Sequence, residues 1–383
     1  MKRHSLLPAV LALLFIAGCG KSEPSNPATP SGGGSTPTPP PPAPTEINLS
    51  ETGTANCYMI QSAGTYTFDA VKGNSDLSVG EVSSVEVLWE SFGTSTAPSV
   101  GDIIASVSYA DGVVTFSTPD TFCPGNALIA AKDSEGTILW SWHIWASAFA
   151  RQTYKNNAGI VMDRNLGALV ATPGNVGSLG LLYQWGRKDP FLGSSDIAAT
   201  LRARSTGTWP NATVSTATIG TIAWATANPM TFISCTGSTS SDNGDWYYTG
   251  DATTDDTRWQ ADKTLYDPCP LGWKVPVGGV SGLWYTAAGV PSPTCTFDDT
   301  NKGINFSGIF AMTGNVWFPA PGQLNKSTGS LESVGSDGRY WTCSVSTLNA
   351  KFGSQFYFYR DENVSTTSSG WRANANSIRC VQE

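Results

Sequence analysis

Ile103-Ile-Ala-Ser-Val-Ser-Tyr-Ala-Asp-Gly-Val-Val-Thr-Phe116 holds two short apolar-rich runs, Ile103 to Tyr109 and Val113 to Phe116, joined by Ala110-Asp-Gly112. An Asp-Gly pair between such runs is a strong hairpin signal, because both turn positions need positive φ and these residues tolerate it. Outward from it the same grammar repeats. Thr65-Tyr-Thr-Phe68 and Val85-Glu-Val-Leu-Trp89 alternate apolar with polar residues, and Ala127 to Ala131 and Thr137 to Trp145 flank Asp133-Ser-Glu-Gly136 as a second hairpin. Strands of about five to nine residues between turn signals predict an Ig-like β-sandwich over residues 46–148. None of its residues forms a recognisable catalytic group.

The chain before the sandwich reads differently. Lys2, Arg3 and His4 precede an apolar run, Leu6 to Ile16, which is too short to span a bilayer as a helix but suits a signal-peptide core. Ile16-Ala-Gly-Cys19 then resembles the bacterial lipobox. That resemblance implies a signal peptide of residues 1–18, cleavage before Cys19 and lipid on its thiol. Several acyl chains then hold the protein, at about 0.8 kcal/mol per buried CH₂ group. Gly20, where an Asp would favour retention at the inner membrane, points to the outer membrane and display at the cell surface. Residues 20–45 carry nine prolines, Gly32-Gly-Gly34 and only Lys21 and Glu23 as charges. Such a stretch has too little apolar surface to offset its ordering entropy and serves as an unfolded tether.

Removing Lys2 and Arg3 leaves 20 basic against 30 acidic side chains, so the formal charge moves from −8 to −10. An acidic surface argues against nucleic acid as a partner. His143 is the histidine that survives cleavage. With one histidine there is no HExxH zinc site, and a Ser-His-Asp triad has little to be built from. His143 lies in Trp140-Ser-Trp-His-Ile-Trp145 and reads as a strand residue near a domain boundary. Beyond Cys19, cysteines stand at 57, 123, 235, 269, 295, 343 and 380, none in a CxxC pattern. An exported compartment permits disulfides, and an odd number leaves one over. Cys57 and Cys123 share the sandwich and are one plausible pair. Cys295 with Cys343 is another.

The second half opens with Gly159-Ile-Val-Met-Asp-Arg-Asn-Leu-Gly167 and Gly180-Leu-Leu-Tyr-Gln-Trp-Gly-Arg-Lys-Asp-Pro-Phe191. Tyr266-Asp-Pro-Cys-Pro-Leu-Gly-Trp-Lys-Val-Pro276, Gly338-Arg-Tyr-Trp-Thr342, Phe356-Tyr-Phe-Tyr359 and Ser377-Ile-Arg-Cys-Val381 follow. In this order the blocks resemble the Fibrobacter succinogenes major paralogous domain, found in surface lipoproteins of Bacteroidetes, over residues 155–383. The resemblance implies a C-type-lectin-like α+β fold, shared with the sulfatase activators, whose chain ends meet. It also implies that Cys269 pairs with Cys380, closing a loop of roughly 110 residues worth about 4–5 kcal/mol in the chain-entropy model. The expected fold class is therefore mostly β with α+β: an Ig-like sandwich followed by a C-type-lectin-like domain. Where the family continues into a helix, this chain inserts Val277-Gly-Gly-Val-Ser-Gly282. Each glycine disfavours helix by about 1 kcal/mol, so the helix is predicted to start near Ser281 or be short.

Function is sought first in the loop from Cys235 to Lys263. It carries Asp242, Asn243, Asp245, Asp251, Asp255, Asp256 and Asp262, interleaved with Trp246, Tyr247, Tyr248 and Trp259. Asp242, Asn243, Asp245 and Asp251 are candidate calcium ligands, since calcium takes six to eight oxygens. The spacing is not that of an EF-hand, and a solvated acidic loop is the preferred reading. The four aromatic residues are candidate ligand contacts, because exposed rings beside amides and carboxylates suit a sugar. The competing reading places them in the core, where Trp273, Trp341 and Tyr183-Gln-Trp185 belong. The calcium-sugar signatures of lectins and the reactive cysteine pair of the activators are absent. The reading that follows is a noncatalytic surface module for adhesion or binding, with a glycan or fimbrial protein as partner. A polymerising pilus subunit is the alternative, and a carboxylate-based glycosidase comes third.

Overall fold

The computed structural model describes residues 46–235, 244–251, 254–361 and 363–383. Cys19 and the tether fall outside these residues. Ala43–Glu383 forms one compact unit. Among the described residues no helix is long and apolar enough to cross a membrane.

The fold is mostly β. Its first part holds β1 (Glu46–Asn48), β2 (Cys57–Ile60), β3 (Thr65–Asp69), β4 (Ser84–Ser91), β5 (Ser106–Ala110), β6 (Val113–Ser117), β7 (Gly125–Lys132) and β8 (Ile138–Ala146). They form two four-stranded sheets, in the orders β1-β3-β6-β5 and β2-β8-β7-β4. The β5–β6 hairpin turns on Asp111 (φ 50°) and Gly112 (φ 83°), both in the left-handed region that an Asp-Gly turn supplies at little strain. In the β7–β8 hairpin the Asp133 carboxylate accepts the Glu135 and Thr137 N–H groups and Gly136 takes φ 83°. The sheets face each other through Tyr66, Phe68, Val114 and Phe116 on one side and Tyr58, Ile129, Trp142 and Ile144 on the other. Phe68 meets Tyr58 at 4.7 Å and Trp142 at 5.1 Å between ring centroids.

The second sheet is buried on both faces. Along β8, Trp140, Trp142 and Ile144 enter the sandwich core, while Trp145 on the opposite face joins a second core. There Trp89, Leu128 and Trp145 meet Met162, Leu181, Trp185 and Trp273 from the following half of the chain. A strand alternates its faces with period two, so Trp140-Ser-Trp-His-Ile-Trp145 serves both halves at once. Side-chain amides tie the halves further. Asn56 Nδ2 donates to the Leu265 and Asp267 carbonyls, and Asn74 Nδ2 to those of Thr264 and Asp267.

In the second half, β9 (Arg151–Tyr154) and β10 (Gly159–Met162) form a sheet with Val381–Gln382 and Trp273–Lys274. This sheet brings the start and end of that half together. Cys269 and Cys380 are bridged beside it, across 111 residues of sequence. Asp337–Val345, Phe352–Tyr359 and Val364–Trp371 form a three-stranded sheet. Against it packs an aromatic core in which Phe306 and Phe310 stack on each other and meet Phe318 and Phe356 edge to face, while Trp284 stacks on Phe356. The described residues include two α-helices, α1 (Ile222–Ala227) and α2 (Leu283–Ala288), each six residues long. The start of α2 matches the glycine insertion: its N-cap is Gly282, which makes no side-chain cap bond.

Two expected disulfides are not formed. Cys57 keeps its thiol, and the sheet order explains why it does not reach Cys123. β8 separates β2 from β7, and Cys57 pairs with His143 while Gly125 pairs with Ala146. Two strand spacings of about 4.8 Å already exceed the Cα separation a disulfide allows. Cys343 also keeps its thiol. It faces the inter-half core, whereas Cys295 lies in the aromatic core under the three-stranded sheet.

Candidate functional site

The acidic aromatic loop closes inward instead of lining the surface. Asp245 is fully buried and ion-paired to Arg258 and, at 3.5 Å, to Arg372, both fully buried themselves. Arg372 reaches outward to Asp256 at 2.6 Å. The rings supply the rest of the cations' environment. Arg258 lies 4.6 Å from the Trp246 ring and 5.1 Å from Trp185, and Arg372 lies 4.2 Å from Trp185. Stacking over an indole face offsets part of what a guanidinium loses on leaving water.

This arrangement corrects the sugar-contact assignment. Trp246, Tyr248 and Trp259 are buried, and the Trp246 and Trp259 indoles donate to the Trp185 and Tyr266 carbonyls, both at 2.8 Å. Rings spent on the interior cannot stack on a ligand. Tyr247 is half-buried, 5.2 Å from the Arg258 guanidinium. The calcium assignment changes as well. The Asp245 carboxylate faces two guanidiniums and not a cation site, Asp251 is exposed, and Asp242 and Asn243 lie outside the described residues. Among the described residues no group of three or more His, Cys, Asp and Glu side chains is placed to hold a metal ion.

The structure also assembles a cluster that no motif or spacing announces. Ser141 Oγ donates to Asp189 Oδ1 at 2.6 Å, and Lys188 Nζ donates to both of those oxygens at 2.6 Å. A serine beside a lysine is a known nucleophile pairing. Here it is sealed between the halves, with all three residues buried and the Lys188 ammonium 4.5 Å from the Trp140 ring. The void beside Lys188 and Asp189 measures ≈ 10 Å³, about one water. The hydroxyl proton already points at Asp189, so this is a polar rivet between sandwich and second half. His143 is equally internal. Its Nε2 meets Asn126 Oδ1 at 2.9 Å, and burial lowers its pKa to about 3, so the ring stays neutral.

Two open depressions lie among the described residues, each with a single charged side chain in its lining, Lys274 in one and Asp120 in the other. One depression of ≈ 380 Å³ lies beside α2, between the β9–β10 turn and Val381–Gln382. Another, of ≈ 330 Å³, lies at one end of the sandwich between Gly64 and Thr118. No family model, no curated protein and no solved structure matches the chain.

Proposed function

We propose that this chain is a noncatalytic binding module for glycans, displayed from the outer membrane on a lipid anchor at Cys19. One observation carries the reading. The groups with reactive potential, His143, Asp245 and the Ser141–Lys188–Asp189 cluster, are sealed inside and committed to structural bonds, while an open concavity carries amide and hydroxyl side chains. The lipobox-like Ile16-Ala-Gly-Cys19 and the proline-rich stretch after it support the anchor. Two sheets packed face to face support an Ig-like sandwich. A second half whose ends share one sheet, clasped by Cys269–Cys380, supports a C-type-lectin-like domain.

Purified residues 46–383 applied to a broad glycan array test the proposal. Binding to a defined group of glycans, unaffected by chelator, is the expected result. An ectodomain that is folded by its melting transition and binds nothing on the array would sink it.

A further inference from the structure

We infer that the depression beside α2 is the saccharide site, and that it takes the hydroxylated ring of a neutral sugar. The inference rests on the binding role proposed above and gives it an address. The volume of ≈ 380 Å³ lies in the range of small-molecule sites and suits one or two sugar rings. Its floor is apolar, made by Val277, Leu283 and Val381. Such a floor accepts the CH face of a pyranose. Its rim carries Asn157, Ser281, Thr286 and Gln382, with Lys274 as the charged member. No carboxylate lines it, in a chain whose formal charge is −8. An acidic protein that keeps one concavity free of acid is not presenting it to a cation or a basic peptide. Lys274 is partly engaged, donating to the Ala261 carbonyl at 2.6 Å, so the rim is dominated by neutral donors and acceptors.

A glycine turn shapes the depression. Leu283 N–H donates to Val277 O at 2.9 Å and closes residues 277–283 into a loop. A Cβ on Gly282 would sit 2.5 Å from Gly278 backbone, and one on Gly278 would sit 2.4 Å from Thr342 Oγ1. Glycine is therefore required at both positions to fold the turn so tightly, with Ser281 held at the rim.

Saturation-transfer difference NMR on residues 46–383 tests the address, with glucose, galactose, mannose, N-acetylglucosamine, lactose and maltose as probes. Thr286→Trp fills the depression and Gln382→Leu removes the amide. Thermal melting establishes that each is folded. Saturation transfer in the wild type that vanishes in Thr286→Trp and weakens roughly tenfold in Gln382→Leu is the expected outcome. If Thr286→Trp does not fold, Gln382→Leu alone decides. Undiminished binding in a folded variant overturns the address and leaves the binding role standing, with its site elsewhere. No saturation transfer from any probe, together with an empty array, overturns both.

Discussion

Asp245 sits fully buried between two guanidiniums, and its removal is the sharpest test of the buried network. Asp245→Asn takes the carboxylate from Arg258 and leaves Arg372 with Asp256 alone. A loss of about 3–5 kcal/mol in urea denaturation is expected, and added calcium should not restore it. His143 and Asp267 make a second test, through pH. Burial lowers His143 to about 3 and pushes Asp267 up to about 6, the latter against Lys263 and two backbone N–H groups. The folded pKa of His143 lies below its unfolded value, so its contribution is complete above about pH 6.5 and is lost as pH falls toward 3. Asp267 has the opposite sign: its contribution is complete below about pH 4 and is lost as pH rises through 6. Between those limits the two slopes cancel. His143→Gln removes one of them, so the variant should gain on the wild type by about 1.4 kcal/mol per pH unit as pH falls from 6 to 4. Taking the difference in unfolding free energy removes the shared contribution of the other carboxylates, and a flat difference would refute it. The burial of Trp246 and Trp259 was not legible from their loop. What holds them inside is Trp185, whose carbonyl accepts the Trp246 indole N–H 61 residues away and whose ring packs on Trp259 at 5.7 Å, and local composition does not reveal a partner at that distance.

At the scale of single elements, turn chemistry was the most readable signal. Asp111-Gly112 and Asp133 to Gly136 marked their hairpins because those residues relieve a specific backbone conformation. The late, short α2 followed from three glycines in the same way. Two-residue strands such as Tyr183–Gln184 and Gln323–Leu324 were not readable, since two residues show no periodicity. The α1 helix, six residues capped by Thr221, was too short to announce itself. The Cys269–Cys380 bridge gives this scale its prediction. Replacing both cysteines by alanine should lower the unfolding free energy by about 4–5 kcal/mol, measured against wild type under oxidising conditions. The same difference should disappear when both proteins are unfolded in reductant.

For the molecule as a whole, the two halves were each expected to carry a core of their own. The sandwich does, but β7 and β8 also give their far face to the second half. A strand buried on both sides reads in sequence as plain apolar alternation when small polar residues, here Ser141 and His143, occupy the second face beside Trp145. A chain ending at residue 148 would therefore expose Trp89, Leu128 and Trp145 together. It should be recovered largely in aggregates, while residues 46–383 stay soluble and melt in one transition by calorimetry. A soluble, monomeric product ending at residue 148 would show that the halves are independent.

The place where the chain enters the fold has a mechanical meaning. β1 is three exposed residues laid parallel to β3, and it is the first structure to feel tension arriving through residue 45. Behind it Leu49 N–H donates to the Thr67 carbonyl, Ser50 Oγ accepts the Asp69 N–H and Ala55 is fully buried. The roughly 35 Å that residues 46–55 would add as an extended chain is therefore released bond by bond. Tension next meets Asn56, anchored to the Leu265 and Asp267 carbonyls, and β2 bonded along β8. Load on the proposed tether would thus first stretch this root like a short spring. The core, the bridge and the α2 depression stay unstrained until that slack is spent.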